Sequence, residues 1–306
     1  MNGRPIAVAP ATRPEMHLVL CRAVAEGGAT LADMADAEAL IWADPRANLL
    51  PEVMELNPEV EWVQLPFAGI EDFIDYLDKD RWWTNAKGVY APAVAETVLA
   101  QILTLCKNMH CYAKATAWQQ PVGRLLSGTR ITVLGGGGIT RHLLPLLAPF
   151  GCDVTVVRRT DQPIDGANRT ITTSRLLEVL PRTDVLVLAL ALTPETSGII
   201  GAPELAALPD HALLVNVARG GHVVTDDLVA ALRNGSIGAV ALDVTDPEPL
   251  PEDHPLWFEP NCLITPHIGN TPEMGLKLLE PFVIENVRRF CAGEDLLALV
   301  DATLGY

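Results

Sequence analysis

An α/β architecture with two Rossmann-like or flavodoxin-like domains, each on a doubly wound parallel sheet, is predicted by three features of this 306-residue sequence. Short apolar runs alternate with amphipathic stretches from end to end, as strands and helices do in such folds. The later runs are flat in period, as strands buried on both faces must be. A glycine cluster, Gly135-Gly136-Gly137-Gly138, stands between one such run and a helical pattern. Hydrophobic residues make up 49% against 20% charged, which excludes a disordered chain, and the length suits one large domain or two ordinary ones.

In chain order, residues 6–9, 39–42 and 60–65 read as strands, and 16–25, 49–56 and 70–77 carry helical spacing. Pro92 then opens a stretch in which Val94, Val98, Leu99, Ile102, Leu105, Cys106 and Met109 recur at helical intervals, so one helix is expected over 92–109. A loop at 119–128 leads to strands at 131–134, 154–157, 185–190, 212–217, 239–244 and 263–265, enough for a complete doubly wound sheet. The helix 141–147 follows the glycines. A last amphipathic helix, 273–290, precedes a tail whose Leu296, Leu297, Leu299 and Val300 need a surface to bury against, and the first domain supplies one. The chain thus divides into a substrate domain, residues 1–93 completed by 287–306, and a dinucleotide-binding domain, residues 94–286, with the backbone crossing twice.

Charge and composition restrict the partners. With 22 Lys+Arg against 38 Asp+Glu the net charge is −16, and no basic run exceeds two residues, so nucleic acid and anionic membrane surfaces are repelled. No apolar run approaches the ~18 residues of a membrane helix, and the N-terminus lacks the basic-then-apolar pattern of a secretory leader. Cys21, Cys106, Cys111, Cys152, Cys262 and Cys291 show no CxxC or metal-ligand spacing. No metal is expected, and a reducing cytoplasm is indicated.

A dinucleotide fold needs a sharp strand-to-helix turn, a Gly where the backbone nears the pyrophosphate, and N–H groups at the helix start aimed at the anion. Gly135 and Gly137 suit the first two needs, and Gly138, Ile139 and Thr140 begin the helix. Thr140 occupies the place of the fingerprint's third Gly, so the helix is expected to ride further from the sheet. At the end of the next strand, where an acidic residue would bond the ribose of NAD, stand Arg158, Arg159 and Thr160. Two guanidiniums and a hydroxyl bind a 2′-phosphate that a carboxylate would repel, which points to NADP. Asp161, next in line, leaves NAD open.

Three later segments place polar groups at strand ends, where such sheets hold ligands: Asn216-Val217-Ala218-Arg219-Gly220, Asp243 with Glu248, and Pro266-His267. Together they suit carbonyl reduction. Arg219 can grip a substrate carboxylate and polarise the carbonyl, His267 can give the proton that the developing alkoxide needs, and Glu248 can fix the tautomer of that imidazole. Each alone has an ordinary use: a loop cap, a solvated turn carboxylate, a turn histidine.

Taken in order, Ala95-Glu96, the glycine loop, Leu192-Thr193-Pro194-Glu195-Thr196, Asn216 to Gly220, Leu242-Asp243-Val244, Glu248-Pro249 and Pro266-His267 resemble the D-isomer-specific 2-hydroxyacid dehydrogenase family. The resemblance implies catalysis by Arg219, Glu248 and His267, with Ala191, Leu192, Val217, Ala218, Asp243 and His267 beside the cofactor and Asp243 near the nicotinamide. It implies a homodimer paired through the helix from Pro92. It also implies that Phe67-Ala68-Gly69 lie in the loop receiving the substrate carboxylate. Trp42 is similar to the pocket-narrowing Trp of the glyoxylate and hydroxypyruvate reductase branch, with Trp82, Trp83 and Tyr90 as other candidates for an aromatic wall. The implied reaction is reduction of a small 2-oxo acid such as glyoxylate or hydroxypyruvate to the D-2-hydroxy acid. The other function open at this point is a dinucleotide-sensing, corepressor-like interaction protein on the same fold. The chain departs from the family at Thr140, at Gly138 where Arg is frequent, at Ala191 where Pro is usual, and at Thr97 where His commonly follows Glu.

Overall fold

The computed structural model describes residues 3–301, which fall into two compact units, 3–90 with 272–301 and Ala91–Thr271. Residues 302–306, the end of the tail assigned above to the substrate domain, lie outside the described residues. The chain begins with β1 (Pro5–Ala9), α1 (Pro14–Glu26), β2 (Thr30–Leu31), β3 (Ala39–Trp42), α2 (Leu50–Met54), β4 (Trp62–Gln64) and β5 (Trp82–Thr84). Next come α3 (Ala91–Cys106), α4 (Met109–Tyr112), β6 (Arg130–Leu134), α5 (Gly138–Leu147), β7 (Asp153–Arg158), β8 (Arg169–Thr172), α6 (Leu176–Val179) and β9 (Val185–Leu188). The series α7 (Ala202–Ala207), β10 (Leu213–Asn216), α8 (Thr225–Asn234), β11 (Ala239–Leu242), β12 (Cys262–Ile264) and α9 (Pro272–Ala292) completes it.

The first unit has a five-stranded parallel sheet in the order β2-β1-β3-β4-β5, the flavodoxin-like arrangement. On one face Leu20, Ala23 and Val24 of α1 meet Leu279, Val283, Val287 and Phe290 of α9. The other face buries Leu40, Trp42, Leu50, Leu65 and Phe73. Sequence periodicity misses β2 and β5, because β2 is two exposed residues and β5 three, with Trp82 exposed. The helix expected at 70–77 is a 3-10 helix, Glu71–Tyr76.

α9 belongs wholly to this unit, so the chain returns at Pro272. The boundary drawn at 287 therefore falls too late, because the apolar stripe of α9 is the partner of α1. Fully buried Asn286 of α9 donates to Gln64 Oε1 at 2.8 Å and accepts from the Leu297 N–H at 2.8 Å. The tail docks here as its apolar pattern requires: Val300 N–H donates to Trp83 O at 2.8 Å, and Leu299 bridges Thr84.

The second unit holds a seven-stranded parallel sheet in the order β12-β11-β10-β9-β6-β7-β8. The order reverses between β6 and β9, which makes a crevice at the carboxyl ends of that pair. Six strands were expected. The seventh, β8, buries only Ile171 of its four residues and so leaves no apolar run. The helix expected to reach Met109 stops at Cys106, since Asn108 takes a left-handed conformation (φ 53°) that Asn tolerates better than most residues. At the amino edge of the sheet, Asp184 accepts from Arg130 N at 2.8 Å, Arg130 Nε at 3.0 Å and Arg130 NH2 at 2.7 Å, and bonds His211 Nε2 at 3.0 Å.

Candidate active site

The glycine loop is shaped by sterics. Gly135 has φ +106°, and a Cβ there would lie 2.1 Å from the Ala189 carbonyl oxygen, so no other residue fits. Gly137 is the N-cap of α5, and a Cβ there would meet nothing within 4 Å. The open space lies at the start of a ten-residue helix whose first N–H groups have no intrahelical acceptor, so the loop fits a pyrophosphate. Thr140 is fully buried, and its hydroxyl donates to the Gly135 carbonyl at 2.8 Å. The side chain tethers the first turn of α5 to the strand end.

Arg158 ends β7 with its side chain folded over the loop, Cδ standing 3.0 Å from where a Gly136 Cβ would be. The Thr193 hydroxyl is the main group holding the Glu195 carboxyl below its ordinary range, and the nearby charge of Arg159 adds to it. Thr160 is exposed.

Asn216, at the end of β10, shapes the turn that carries Arg219. Its Oδ1 accepts from the Ala218 N–H at 3.0 Å, and its Nδ2 donates to the Arg219 carbonyl at 2.9 Å. Arg219 NH1 donates to the Ala218 carbonyl at 2.7 Å. Val217 and Ala218 are buried, Ala191 is exposed, and the Leu192 side chain packs where a Gly221 Cβ would lie. Gly220 sits so close to the next strand end that a Cβ would lie 2.0 Å from the Thr245 carbonyl. The Thr245 N–H in turn donates to Glu248 Oε2 at 3.3 Å. This contact links the Arg219 turn to the Glu248 loop.

Glu248 Oε1 lies 2.7 Å from His267 Nδ1, with both side chains half-exposed. His267 is itself left-handed (φ 51°), a conformation that costs energy away from Gly and must be held in place. Buried Asp243 holds it. The Asp243 carbonyl accepts from the His267 N–H at 2.8 Å, its Oδ1 accepts from Thr265 Oγ1 at 2.5 Å and Ile268 N at 2.9 Å, and its Oδ2 accepts from Gly269 N at 2.8 Å. Asp243, expected near the nicotinamide, thus spends both carboxylate oxygens on the loop of the histidine. Sequence reasoning missed Gln101, which donates to Thr265 Oγ1 at 3.1 Å from α3. Its only signal is a polar residue on an otherwise apolar helix face.

In the first unit, Trp42 ends β3 fully buried, and its indole Nε1 meets no hydrogen-bond partner among the described residues. The loop after β4 has its carbonyls tied back: Pro66 O accepts from the Tyr90 hydroxyl, Phe67 O from Ala86 N at 2.9 Å, and Ala68 O from Asn85 Nδ2 at 3.0 Å. In a trans peptide the N–H points opposite the carbonyl. The N–H groups of Phe67, Ala68 and Gly69 therefore turn away from those partners, as an anion receptor requires. Among the described residues no group of His, Cys, Asp and Glu side chains is arranged to hold a metal ion, and no helix is long and apolar enough to cross a membrane.

The family model for the NAD binding domain of D-isomer specific 2-hydroxyacid dehydrogenases matches residues 99–269, more than half of the chain. The chain belongs to this family. A curated relative, an uncharacterized protein of Corynebacterium melassecola, is 37% identical over 297 residues, covering 93% of this dehydrogenase and 95% of that protein. Glyoxylate/hydroxypyruvate reductase A of Yersinia enterocolitica is 30% identical over 284 residues, covering 88% of this chain and 87% of that protein. Among solved structures, the D-isomer specific 2-hydroxyacid dehydrogenase of Xanthobacter autotrophicus Py2 in complex with NADPH and MES superposes with a TM-score of 0.83 at 28% identity, covering all of both chains. This dehydrogenase shares with its family the two-sheet α/β fold.

Proposed function

We propose that this dehydrogenase is an NADP(H)-dependent reductase of small 2-oxo acids, of the glyoxylate and hydroxypyruvate type, forming the D-2-hydroxy acid. The observation that carries the reading is the hydrogen-bonded pair His267–Glu248, built in the same unit as the glycine loop and the Arg219 turn. The names of the Yersinia reductase and the NADPH-bound Xanthobacter structure support the substrate class and the cofactor.

Gly135, Gly137, Gly138, Ile139 and Thr140 would hold the pyrophosphate, with Arg158, Arg159 and Thr160 at the 2′-phosphate; NAD remains an alternative cofactor. When bound, the nicotinamide supplies or takes up the hydride. Arg219 binds the substrate carboxylate through paired N–H donors and draws electron density from the carbonyl. His267 gives its Nε2 proton to the alkoxide oxygen, and Glu248, accepting from Nδ1–H, holds the other proton on Nδ1 throughout. The first unit carries its own anion receptor in the peptides of Phe67, Ala68 and Gly69. We place the enzyme in the cytoplasm as a homodimer. Its cysteines are free, and burial pushes the Cys262 thiol up to about 12, which suits a reducing compartment. Dimerisation rests on the family resemblance.

The test is loss of NADPH absorbance with a panel of 2-oxo acids. Arg219→Gln should raise KM, and His267→Ala should lower kcat by about 10²–10⁴-fold. Cofactor binding without turnover of any acid would overturn the reading.

A further inference from the structure

Beyond the groups proposed to meet substrate and cofactor, the buried side chain of His222 bonds directly to the backbone of Arg219. His222 is wholly buried. Its Nδ1 lies 3.2 Å from the Arg219 N–H and 2.9 Å from the Arg219 carbonyl oxygen, so in either tautomer the ring bonds the main chain of that residue. The Arg219 carbonyl also accepts from the His222 N–H at 3.3 Å and from Asn216 Nδ2 at 2.9 Å. Arg219 is therefore gripped on both sides by buried side chains, in an extended conformation (φ −146°, ψ 149°). Behind it Gly220 is jammed against the Thr245 carbonyl, and Thr225 Oγ1 donates to the adjoining Asp246 carbonyl at 2.9 Å.

We infer that His222 is a positioning residue for Arg219: its Nδ1 sets the backbone from which the guanidinium reaches the 2-oxo acid, so that it governs substrate affinity without touching substrate. The inference rests on the proposed role of Arg219. An arginine side chain has many rotamers, and its grip on a carboxylate is bidentate only within a narrow range of approach angles. Asn216 and His222 fix the Arg219 backbone from both sides, which sets the origin and direction from which the guanidinium approaches. Deep burial also keeps the ring away from bulk solvent, so the bond to Arg219 is not exchanged for one to water. Asn216 shapes the same turn from the strand side, but it lies within the motif that the family resemblance already covers. His222 lies outside it.

The experiment compares two variants of nearly equal size and polarity. The amide of Asn reproduces the position of the imidazole Nδ1, and that of Gln the position of Nε2. His222→Asn should keep KM for glyoxylate or hydroxypyruvate within about threefold of wild type, whereas His222→Gln should raise it about tenfold or more, with the NADPH dissociation constant unchanged in both. Unfolding temperature is measured for both, so that a general loss of structure is seen separately. If KM is the same in the two variants, or if both shift the cofactor constant and KM together, His222 is a packing residue and the inference is wrong. Arg219→Gln is run alongside. An unchanged KM in that variant would overturn the role of Arg219 itself, while a raised KM there with no difference between Asn and Gln at 222 would overturn only the role of His222.

Discussion

The hydroxyl of Thr140 donates to the carbonyl of Gly135 at 2.8 Å, closing the turn between β6 and α5 from inside the core. The position is one where a dinucleotide fold ordinarily uses Gly. Replacing Thr140 by Gly should therefore destabilise the protein, by about 2–4 kcal/mol from the lost hydrogen bond, the cavity and the flexibility of a helical Gly combined. Chemical denaturation reads this directly, and an equal or higher stability in Thr140→Gly would show that the tether contributes nothing.

Gly135 and Gly137 should respond differently to a single added methyl. Gly137→Ala adds a Cβ into open space, so the folded protein should keep its unfolding temperature while NADPH binds about tenfold more weakly or worse. Gly135→Ala forces a Cβ against the Ala189 carbonyl at positive φ and should cost stability before any cofactor is added. Calorimetric titration and thermal melts of both variants make the comparison.

Arg158 lies over Gly136 at the end of β7, where the adenosine ribose binds in such sheets. Arg158→Asp should weaken NADPH at least about tenfold and spare NADH, because a charge-assisted hydrogen bond is worth about 1.5–3 kcal/mol. An equal loss for both cofactors would remove Arg158 from the 2′-phosphate.

Hydrogen bonds from the Arg130 guanidinium hold the Asp184 carboxyl well below the usual carboxylate range. The unfolded chain, with an ordinary pKa of about 3.9, takes up the proton first as pH falls. The stabilisation is thus complete above about pH 5 and is lost as pH drops through the unfolded value toward the folded one. Asp184→Asn should be less stable than wild type by about 1–3 kcal/mol at neutral pH, and the gap should narrow below about pH 4. Melts across that range decide it; a gap independent of pH would point to packing instead.

Buried strands were legible because a parallel sheet covered on both faces demands unbroken apolar runs, as at Val185–Leu188 and Leu213–Asn216. Edge strands were not, since Thr30–Leu31 and Arg169–Thr172 bury too little to leave a pattern. Candidate site residues with unusual side chains at strand ends, Arg219, Glu248 and His267, could be named from order and type. Gln101 and His222 act through single long-range or backbone hydrogen bonds, and no periodicity records those. The start of α9 was misassigned to the dinucleotide unit because its stripe says that it packs but not on what.

The second unit is an insertion within the first, since the strands of the first sheet end at Thr84 while the helix and tail that complete its core begin at Pro272. During synthesis the opening segment therefore leaves the ribosome lacking the partners of Leu20, Val24 and Gln64, and it must wait through the translation of the whole inserted body. The part made second can mature first, and the part made first is sealed only by residues translated after that body.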